Sequence, residues 1–295
     1  MKTKNIVLVL LMVLLLAGGG LFARKMLAAD PEAVFYQALE SHMSTKYIGQ
    51  RYVNDFSYAV ITSETHTDFS DPAKPKTMLH DTYKVDGKKI IEVETITTSD
   101  QAEYGKIIYV DSSQGDKSIQ DMYKTLTGKW VKFSSKDEAA LVDPYNFAGG
   151  VNQTQGEILV GNYPAIVRSE ILAMYKSSKA LGFDKQKVKT ERLDGKSAFK
   201  YVITIDRANL AKINQKAEEK LGLRRSDFIE NMQDVKMTMW VDKKSGRVIR
   251  ISSQHAMRKT TVDFTYPDTL SVATPSGAKT LSEWGVTLPT SADRL

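Results

Sequence analysis

The residue types that could bind a metal or carry acid–base catalysis are scattered along this chain of 295 residues. Its four histidines are His42, His66, His80 and His255, and none stands at the close spacing that zinc ligands share. His66 and Asp68 lie near each other on a predicted strand edge, where a solvated pair is the simpler interpretation. The sequence therefore predicts no metal site.

Motifs for nucleotide binding and nucleophilic catalysis are also missing. Tyr175 and Lys179 stand four residues apart on a predicted helix, as in short-chain dehydrogenases, but no glycine-rich dinucleotide turn precedes them. The glycine run at 18–20 lies inside an apolar segment and cannot cradle phosphate in water. No G-x-S-x-G, Walker or acidic calcium-loop pattern is present, and there is no cysteine. We expect a protein that is not an enzyme and has no cofactor.

The N-terminal segment carries the clearest local signal. An uncharged run of 18 residues from Ile6 to Ala23 lies between two lysines and the pair Arg24 and Lys25. As a helix it spans about 27 Å, enough to cross a hydrocarbon core. A cleaved signal peptide is the alternative, but the basic pair stands where a cleavage site needs small residues. We predict an uncleaved signal anchor over residues 1–29, in a single-pass cell-membrane protein whose C-terminal domain lies outside the cytoplasm, in the periplasm or at the cell surface.

The basic character of the chain comes mostly from this segment. The net charge is +6, of which residues 1–29 supply +4. The remainder has 37 basic and 35 acidic residues and no basic cluster, so we expect no nucleic-acid partner.

The remaining residues alternate between helical and strand patterns in an α+β order. Asp30 and Pro31 begin a first amphipathic helix, which leads into a long strand-like region over 47–66. Further strands follow, including DMYKTLTGKWVKF, and Asp-Gly pairs at 86–87 and 194–195 predict hairpin turns. Two more amphipathic helices are predicted within 162–183 and 207–222. Apolar side chains alternate along the strands, as in an antiparallel sheet with one sheltered face.

Several of these segments resemble one family. They are the helix PEAVFYQALESHM with the strand after it, TGKWVKF, the hairpin MTMWVDKKSGRVIRIS, and VDFTYPD before VATPSG. Together they resemble the LolA/LprG-like lipoprotein-carrier superfamily, which includes outer-membrane lipoprotein carriers, mycobacterial LppX/LprG proteins and sigma-factor regulators of the RseB type. The resemblance covers roughly residues 32 to 276. It implies a curved, incomplete antiparallel barrel with helices packed in its concave face, and members that hold acyl chains or lipoprotein lipids between sheet and helices.

The chain departs from that family in two respects. It has no lipobox cysteine, so the predicted anchor replaces a lipid one. It also carries an insertion-like stretch, about 135–185, which could cover the cavity or fill it. The predicted organisation is a signal anchor over 1–29, a half-barrel domain over 30–276 and a C-terminal tail over 277–295.

The apolar faces of the hairpins and helices give the candidate ligand lining. A curved sheet cannot close its own apolar concavity, so its helices, a ligand or both must fill it. In the last hairpin, Met237, Met239 and Val241 are expected to share a face, as are Ile249 and Ile251. The predicted hydrophobic lining is Phe199, Tyr201, Ile203, Ile205, Met237, Met239, Val241, Ile249, Ile251, Ile171, Met174 and Leu210.

Two functions fit this picture. The first is a membrane-anchored extracytoplasmic protein that binds a lipid or another hydrophobic ligand for transport or presentation. The alternative is a cell-envelope sensor or scaffold whose cavity is filled by its own helices and which acts through a protein partner.

Overall fold

The computed structural model describes residues 30–100, 102–111, 117–134, 138–139, 154–155, 158–221, 236–255 and 258–286. The predicted signal anchor over 1–29 lies outside these residues, as do 140–153 of the predicted insertion and 287–295 of the predicted tail. Among the described residues no helix has both the length and the apolar character needed to cross a bilayer.

Four helices of two turns or more lie in the described ranges: α1 (Pro31–Met43), α2 (Lys117–Leu126), α3 (Ala165–Ser178) and α4 (Arg207–Leu221). The strands are β1 (Tyr47–Phe56), β2 (Ala59–Asp68), β3 (Lys76–Val85), β4 (Lys88–Thr97), β5 (Glu103–Val110), β6 (Trp130–Lys132), β7 (Thr154–Gln155), β8 (Ile158–Leu159), β9 (Leu181–Gly182), β10 (Lys189–Leu193), β11 (Lys196–Ile205), β12 (Lys236–Asp242), β13 (Val248–His255) and β14 (Arg258–Thr265).

All but β7 and β8 belong to one large antiparallel sheet. Its order is β10-β11-β12-β13-β14-β1-β2-β3-β4-β5-β6, and β9 pairs with the end of β11. Two meanders, one from each half of the chain, therefore meet where β1 pairs with β14 over eight residue pairs. The sheet does not close on itself, because β6 and β10 stand at opposite ends of the order. The α+β class and the antiparallel sheet are confirmed, and this arrangement is consistent with a curved half-barrel.

Three helices pack on one face of this sheet, which we call the inner face. Apolar residues of α1, α3 and α4 form one buried cluster with β11, β12, β13 and β14. Phe35 of α1 contacts Tyr201 of β11 with ring centroids 5.3 Å apart, and the Tyr201 hydroxyl donates a hydrogen bond to the Pro31 carbonyl at 2.8 Å. The start of α1 is thus fixed to the sheet. Asp30 caps it by accepting from the Glu32 N–H at 3.2 Å.

Two segments differ from the sequence prediction. The long strand over 47–66 is a hairpin that reverses at Ser57 and Tyr58, where no Gly or Asn marks a turn; Tyr58 is 64% exposed and its carbonyl accepts from the Asp86 N–H. The predicted strand DMYKTL belongs instead to α2. Met122 and Leu126, four residues apart, are buried by α2 against β5, a helical spacing that the short apolar run hides.

The C-terminal segment passes around the β6 edge. Val272 packs with Ile96 and Tyr104, on the face opposite the inner one, whereas Leu281 packs in the cluster of Ile107. Between them, the Lys279 backbone bridges β6 in parallel; the Lys132 N–H donates to the Lys279 carbonyl at 2.9 Å, and the Lys279 N–H donates to the Trp130 carbonyl at 3.2 Å. Residues that the sequence assigned to a tail therefore cover the exposed edge of a strand.

The last hairpin contains a β-bulge that changes which residues face inward. Val241 pairs with Val248, but its neighbour Trp240 pairs with Arg250, so Ile249 is left without a partner. Val248 and Ile251 are buried in the inner cluster, whereas Ile249 is only partly buried and is not part of it. The expectation that Ile249 and Ile251 share a face is therefore wrong, because it assumed strict alternation through the turn.

The bulge predicts that an isoleucine-to-alanine substitution lowers the free energy of unfolding more at position 251 than at position 249. Ile251→Ala should lower the free energy of unfolding by about 3 kcal/mol, since it leaves a cavity in a packed core. Ile249→Ala, the matched control, should cost about 1 kcal/mol or less. Urea unfolding followed by tryptophan fluorescence measures both. Equal losses would contradict the placement of the bulge.

Candidate functional site

One row of paired residues crosses the inner face over nine strands, from β11 to β5. Directly paired residues of antiparallel strands lie on the same face, so the row follows that face across the β1–β14 junction. Its members, in order, are Tyr201, Met239, Ile251, Val262, Tyr52, Ser63, Asp81, Val93 and Ile107. The row is apolar at both ends and polar in the middle.

The apolar end contains most of the lining predicted from the sequence. Ten of the twelve predicted residues are buried together in the cluster of α1, α3 and α4: Phe199, Tyr201, Ile203, Ile205, Met237, Met239, Val241, Ile251, Ile171 and Leu210. Met174 is partly buried and packs against this cluster, and Ile249 does not. The side chains are brought together as a helix-packed core, and α1, which the predicted lining omitted, contributes Phe35 and Leu39 to it.

The middle of the inner face carries a set of buried polar residues, which we call the polar strip. They lie on β1 to β4, and each is no more than 9% exposed: Gln50, Ser63, Thr65, Asp81 and Thr95. A second row runs beside the first and holds Gln50, Thr65, Leu79, Thr95 and Gly105. Along the strand order, the strip lies between two groups of strands that helices cover. On one side of it α1 packs against β12 and β13, and on the other α2 packs against β5.

Sequence reasoning missed the polar strip because its strands are polar on both faces. In β2 the inward residues Ser63 and Thr65 alternate with Thr62 and Glu64, so hydropathy cannot show which face is sheltered. The only usable signal was indirect. Ile61 lies on the same face two residues earlier and is buried, which sets the phase of the strand.

Gln50 stands out within the strip. It is 3% exposed, lies between Phe264 of β14 and Thr65 of β2, and neither its amide nitrogen nor its amide oxygen has a hydrogen-bond partner among the described residues. A buried amide usually has a partner, because leaving it without one costs free energy. Asn214 of α4, at 4% exposure, is in the same state, with neither amide atom bonded among the described residues.

The ionisable side chains of the strip are few. Between β1 and β5, the two rows contain no lysine or arginine, and Asp81 is their only carboxyl group. Burial raises the pKa of the Tyr52 phenol, which keeps it neutral. The hydroxyl and amide groups of the strip can donate and accept hydrogen bonds.

A buried histidine joins α1 to the C-terminal end of the sheet. His42 is 1% exposed, and its Nδ1 lies 3.0 Å from the Tyr266 hydroxyl, which donates to the Val248 carbonyl at 2.7 Å. Because the hydroxyl has given away its only proton, it accepts from His42, whose Nδ1 carries the hydrogen. The ring also packs edge-on against Phe264. Burial lowers the pKa of His42 to about 3 from 6.5, so the ring is neutral.

An open groove of about 480 Å³ lies on the surface between α1 and α3. Its charged and aromatic residues already engage one another: Lys176 lies 5.3 Å from the centre of the Tyr36 ring, and Lys185 forms an ion pair with Glu32. Burial raises the pKa of Tyr36. The groove has polar walls and is open to solvent.

The residues considered for chemistry are not assembled into a site. No group of three side chains suited to a metal occurs within the described ranges. Tyr175 is buried in the core, while Lys179 is exposed at the end of α3 with a left-handed backbone, so this pair does not form a dehydrogenase-like arrangement. His66 lies on the outer face opposite Gly49, and His80 bonds Glu92 at 2.8 Å.

Comparison with solved structures finds proteins of similar architecture. The chain is similar to LprF. That protein, from Mycobacterium bovis, is 12% identical with a TM-score of 0.45, and the match covers 84% of this chain and 98% of that one. The Mycobacterium tuberculosis lipoprotein LppX is 13% identical with a TM-score of 0.34, covering 83% and 100%. The Pseudomonas aeruginosa MucA/MucB complex is 11% identical with a TM-score of 0.31, covering 90% and 62%.

LppX, a member of the family that the sequence resembles, is thus among the solved structures that the chain matches. No protein-family model matches the chain, and a search of curated protein sequences also finds no match.

The buried imidazole predicts how stability depends on pH. Below pH 6.5 the unfolded chain binds a proton at His42 that the folded protein does not bind, so stability falls with pH between 6.5 and about 3. Between pH 7 and pH 5 the wild type should therefore lose about 2 kcal/mol more than His42→Gln. Urea unfolding at the two pH values measures this difference.

His66→Gln is the matched control, because His66 lies on the outer face, away from α1. His66→Gln should therefore lose as much stability between pH 7 and pH 5 as the wild type does. If His42→Gln and the wild type lose the same stability, His42 is protonated in the folded protein and the buried neutral arrangement is wrong.

Proposed function

We propose that this chain is a membrane-anchored extracytoplasmic protein that binds a lipid or another hydrophobic ligand on the inner face of its sheet. One observation carries the proposal. Both α1 and α2 pack on the inner face of an open sheet, α1 at β12 and β13 and α2 at β5, and a buried stretch of that face lies between them. A ligand there would contact Val262 and Phe264 on one side and Val93 and Ile107 on the other. These residues are apolar and buried.

The location and the absence of catalysis are part of the same proposal. The apolar run from Ile6 to Ala23, with basic residues on both flanks, supports a single membrane span. We place the domain outside the cytoplasm because a large domain that follows one N-terminal span most often lies there. The inner face offers hydrogen-bonding and apolar groups, and the described residues hold no group of three side chains suited to a metal ion. The ligand would be bound and then transported or presented.

A specific observation also favours the second candidate, a sensor or scaffold that acts through a protein partner. The apolar end of the inner face is already filled, since Phe35, Ile171 and Leu210 are each 0% exposed within the cluster. A protein whose helices fill the whole concavity would keep its surface for a partner. Crosslinking in membranes would identify such a partner, and the ligand test below separates the two functions.

The test compares the lipid content of two variants, one with a substitution on the inner face of the sheet and one with the same substitution on the outer face. Thr65→Trp places a large ring in the proposed ligand space, and Thr62→Trp places the same ring on the outer face of the same strand. In residues 30–295 purified from an envelope fraction, mass spectrometry should find about one lipid per protein in the wild type and in Thr62→Trp. Thr65→Trp should contain several-fold less.

Thermal unfolding confirms that both variants are folded. Wild-type protein without stoichiometric lipid would rule out the ligand-binding function and leave the partner-binding one. Equal lipid content in both variants would place the lipid elsewhere than on the inner face.

A further inference from the structure

Two aromatic side chains are exposed at the same end of the large sheet. Tyr58 is 64% exposed and Tyr109 is 41% exposed, and they are two of the four large apolar side chains that the described residues expose. Tyr58 lies in the turn between β1 and β2, and Tyr109 lies near the end of β5. Single exposed apolar residues are common on protein surfaces, but a group of them at one place marks an interaction site.

Contacts between neighbouring strand ends join these residues into one surface. The Tyr58 carbonyl accepts a hydrogen bond from the Asp86 N–H at 3.1 Å, which links the β1–β2 turn to the β3–β4 turn. Phe56 pairs with Arg258 at the start of β14, and its ring centre lies 6.4 Å from that of Tyr58. We call this surface the hairpin end, and its members are Phe56, Tyr58, Lys84, Lys88, Lys89, Tyr109, Arg258 and Lys259.

The positive charge of the hairpin end is largely uncommitted. Lys89 lies 5.5 Å from the centre of the Tyr109 ring and is paired with Glu92. The other basic members have no ion pair among the described residues, and they are Lys84, Lys88, Arg258 and Lys259. The exposed carboxylates nearby are only those of Asp55 and Asp86. An anionic surface therefore complements the hairpin end.

Exposed tyrosines beside basic residues are typical of protein surfaces that contact a bilayer. A tyrosine ring suits the boundary between headgroups and hydrocarbon, because one end of it is apolar and the other is polar. Lysine and arginine side chains near the headgroups are attracted to anionic lipids. The hairpin end has both kinds of side chain next to each other.

The inner face of the sheet reaches the same end, which favours a bilayer over other anionic partners. On β2, Ser63 of the polar strip is followed toward the turn by Ile61 and Ala59, which lie on the same face and are buried. Ser63 and Ala59 are four residues apart, about 14 Å along a strand. A hydrophobic ligand that moved along the inner face past Ala59 would reach whatever covers the hairpin end, and a bilayer can accept it.

We propose that the hairpin end docks on the surface of an anionic bilayer and places the adjoining end of the inner face against the lipid. Tyr58 and Tyr109 enter the headgroup layer, and the basic residues contact anionic headgroups. Docking goes beyond the proposed function, because binding a hydrophobic ligand does not require it. The passage of a ligand between the bilayer and the inner face rests on that function.

The experiment measures whether position 58 contacts the bilayer. Because the chain has no cysteine, Tyr58→Cys provides a single attachment site for the environment-sensitive fluorophore NBD, and the backbone hydrogen bond to Asp86 remains. The full-length chain is incorporated into phosphatidylcholine vesicles with or without phosphatidylglycerol, all containing a lipid with a spin-labelled headgroup as quencher. The label at position 58 should be quenched several-fold more in the anionic vesicles.

Ile166→Cys is the matched control, because Ile166 is also exposed but lies at the start of α3, near the opposite end of β1. There the Tyr163 N–H donates to the Met43 carbonyl at 2.8 Å. A label at position 166 should be quenched weakly and equally in both kinds of vesicle. Lys88→Glu should lower the quenching at position 58 several-fold, whereas Lys244→Glu, the same change on the β12–β13 turn, should leave it unchanged.

Each outcome supports or overturns the docking. Quenching at position 58 that is as weak as at position 166 would overturn it, as would equal quenching in the two kinds of vesicle or quenching that Lys88→Glu leaves unchanged. A label whose emission shifts to the blue without quenching would indicate a protein contact at the hairpin end, which also overturns it.

The lipid content of the wild type separates this inference from the proposed function. A quenched label at position 58 together with wild-type protein that carries no lipid would leave docking in place and remove ligand binding. Bound lipid together with an unquenched label would remove docking and leave ligand binding in place.

Discussion

The pairing of β1 with β14 is the interaction on which the rest of the structure depends. It joins a meander near the N-terminus to one near the C-terminus over eight residue pairs and makes one sheet from two. The two rows described above cross this junction, one where Tyr52 pairs with Val262 and the other where Gln50 pairs with Phe264, so the pairing joins the apolar half and the polar half into a single surface. Without that pairing, α1 would cover an isolated meander.

The two halves of the inner face differ in the residues that they bury. On β11 to β14, helices α1, α3 and α4 bury Met and aromatic side chains as completely as in any core, which provides most of the apolar burial of the domain. On β1 to β4, threonines, a serine and a glutamine occupy positions that a purely structural core would give to valine or isoleucine. The polar half buries less apolar surface and therefore contributes less to stability.

The hairpins were predictable because their signals are local. Asp86-Gly87 and Asp194-Gly195 have positive φ at both positions, as the Asp-Gly pairs indicated, and β11 alternates as its sequence does. The turn at Ser57 and Tyr58 has no such residues, and the bulge at Ile249 depends on the partner strand. The polar strip is buried only through long-range pairing, which no alternation within β2 reveals. Ten of the predicted lining residues do lie together, because apolar alternation marks a sheltered face without telling whether a helix or a ligand shelters it.

The wrapping of the C-terminal segment around β6 has a consequence for how the chain is made. The residues that cover this edge follow every strand of the large sheet in the chain, so a growing chain exposes the open edge of Trp130–Lys132 until Lys279 has been synthesised. Such an edge is a template for association with other nascent chains. Premature termination between residues 266 and 270 would leave every strand of the large sheet present but its β6 border open, and the product would be prone to aggregation.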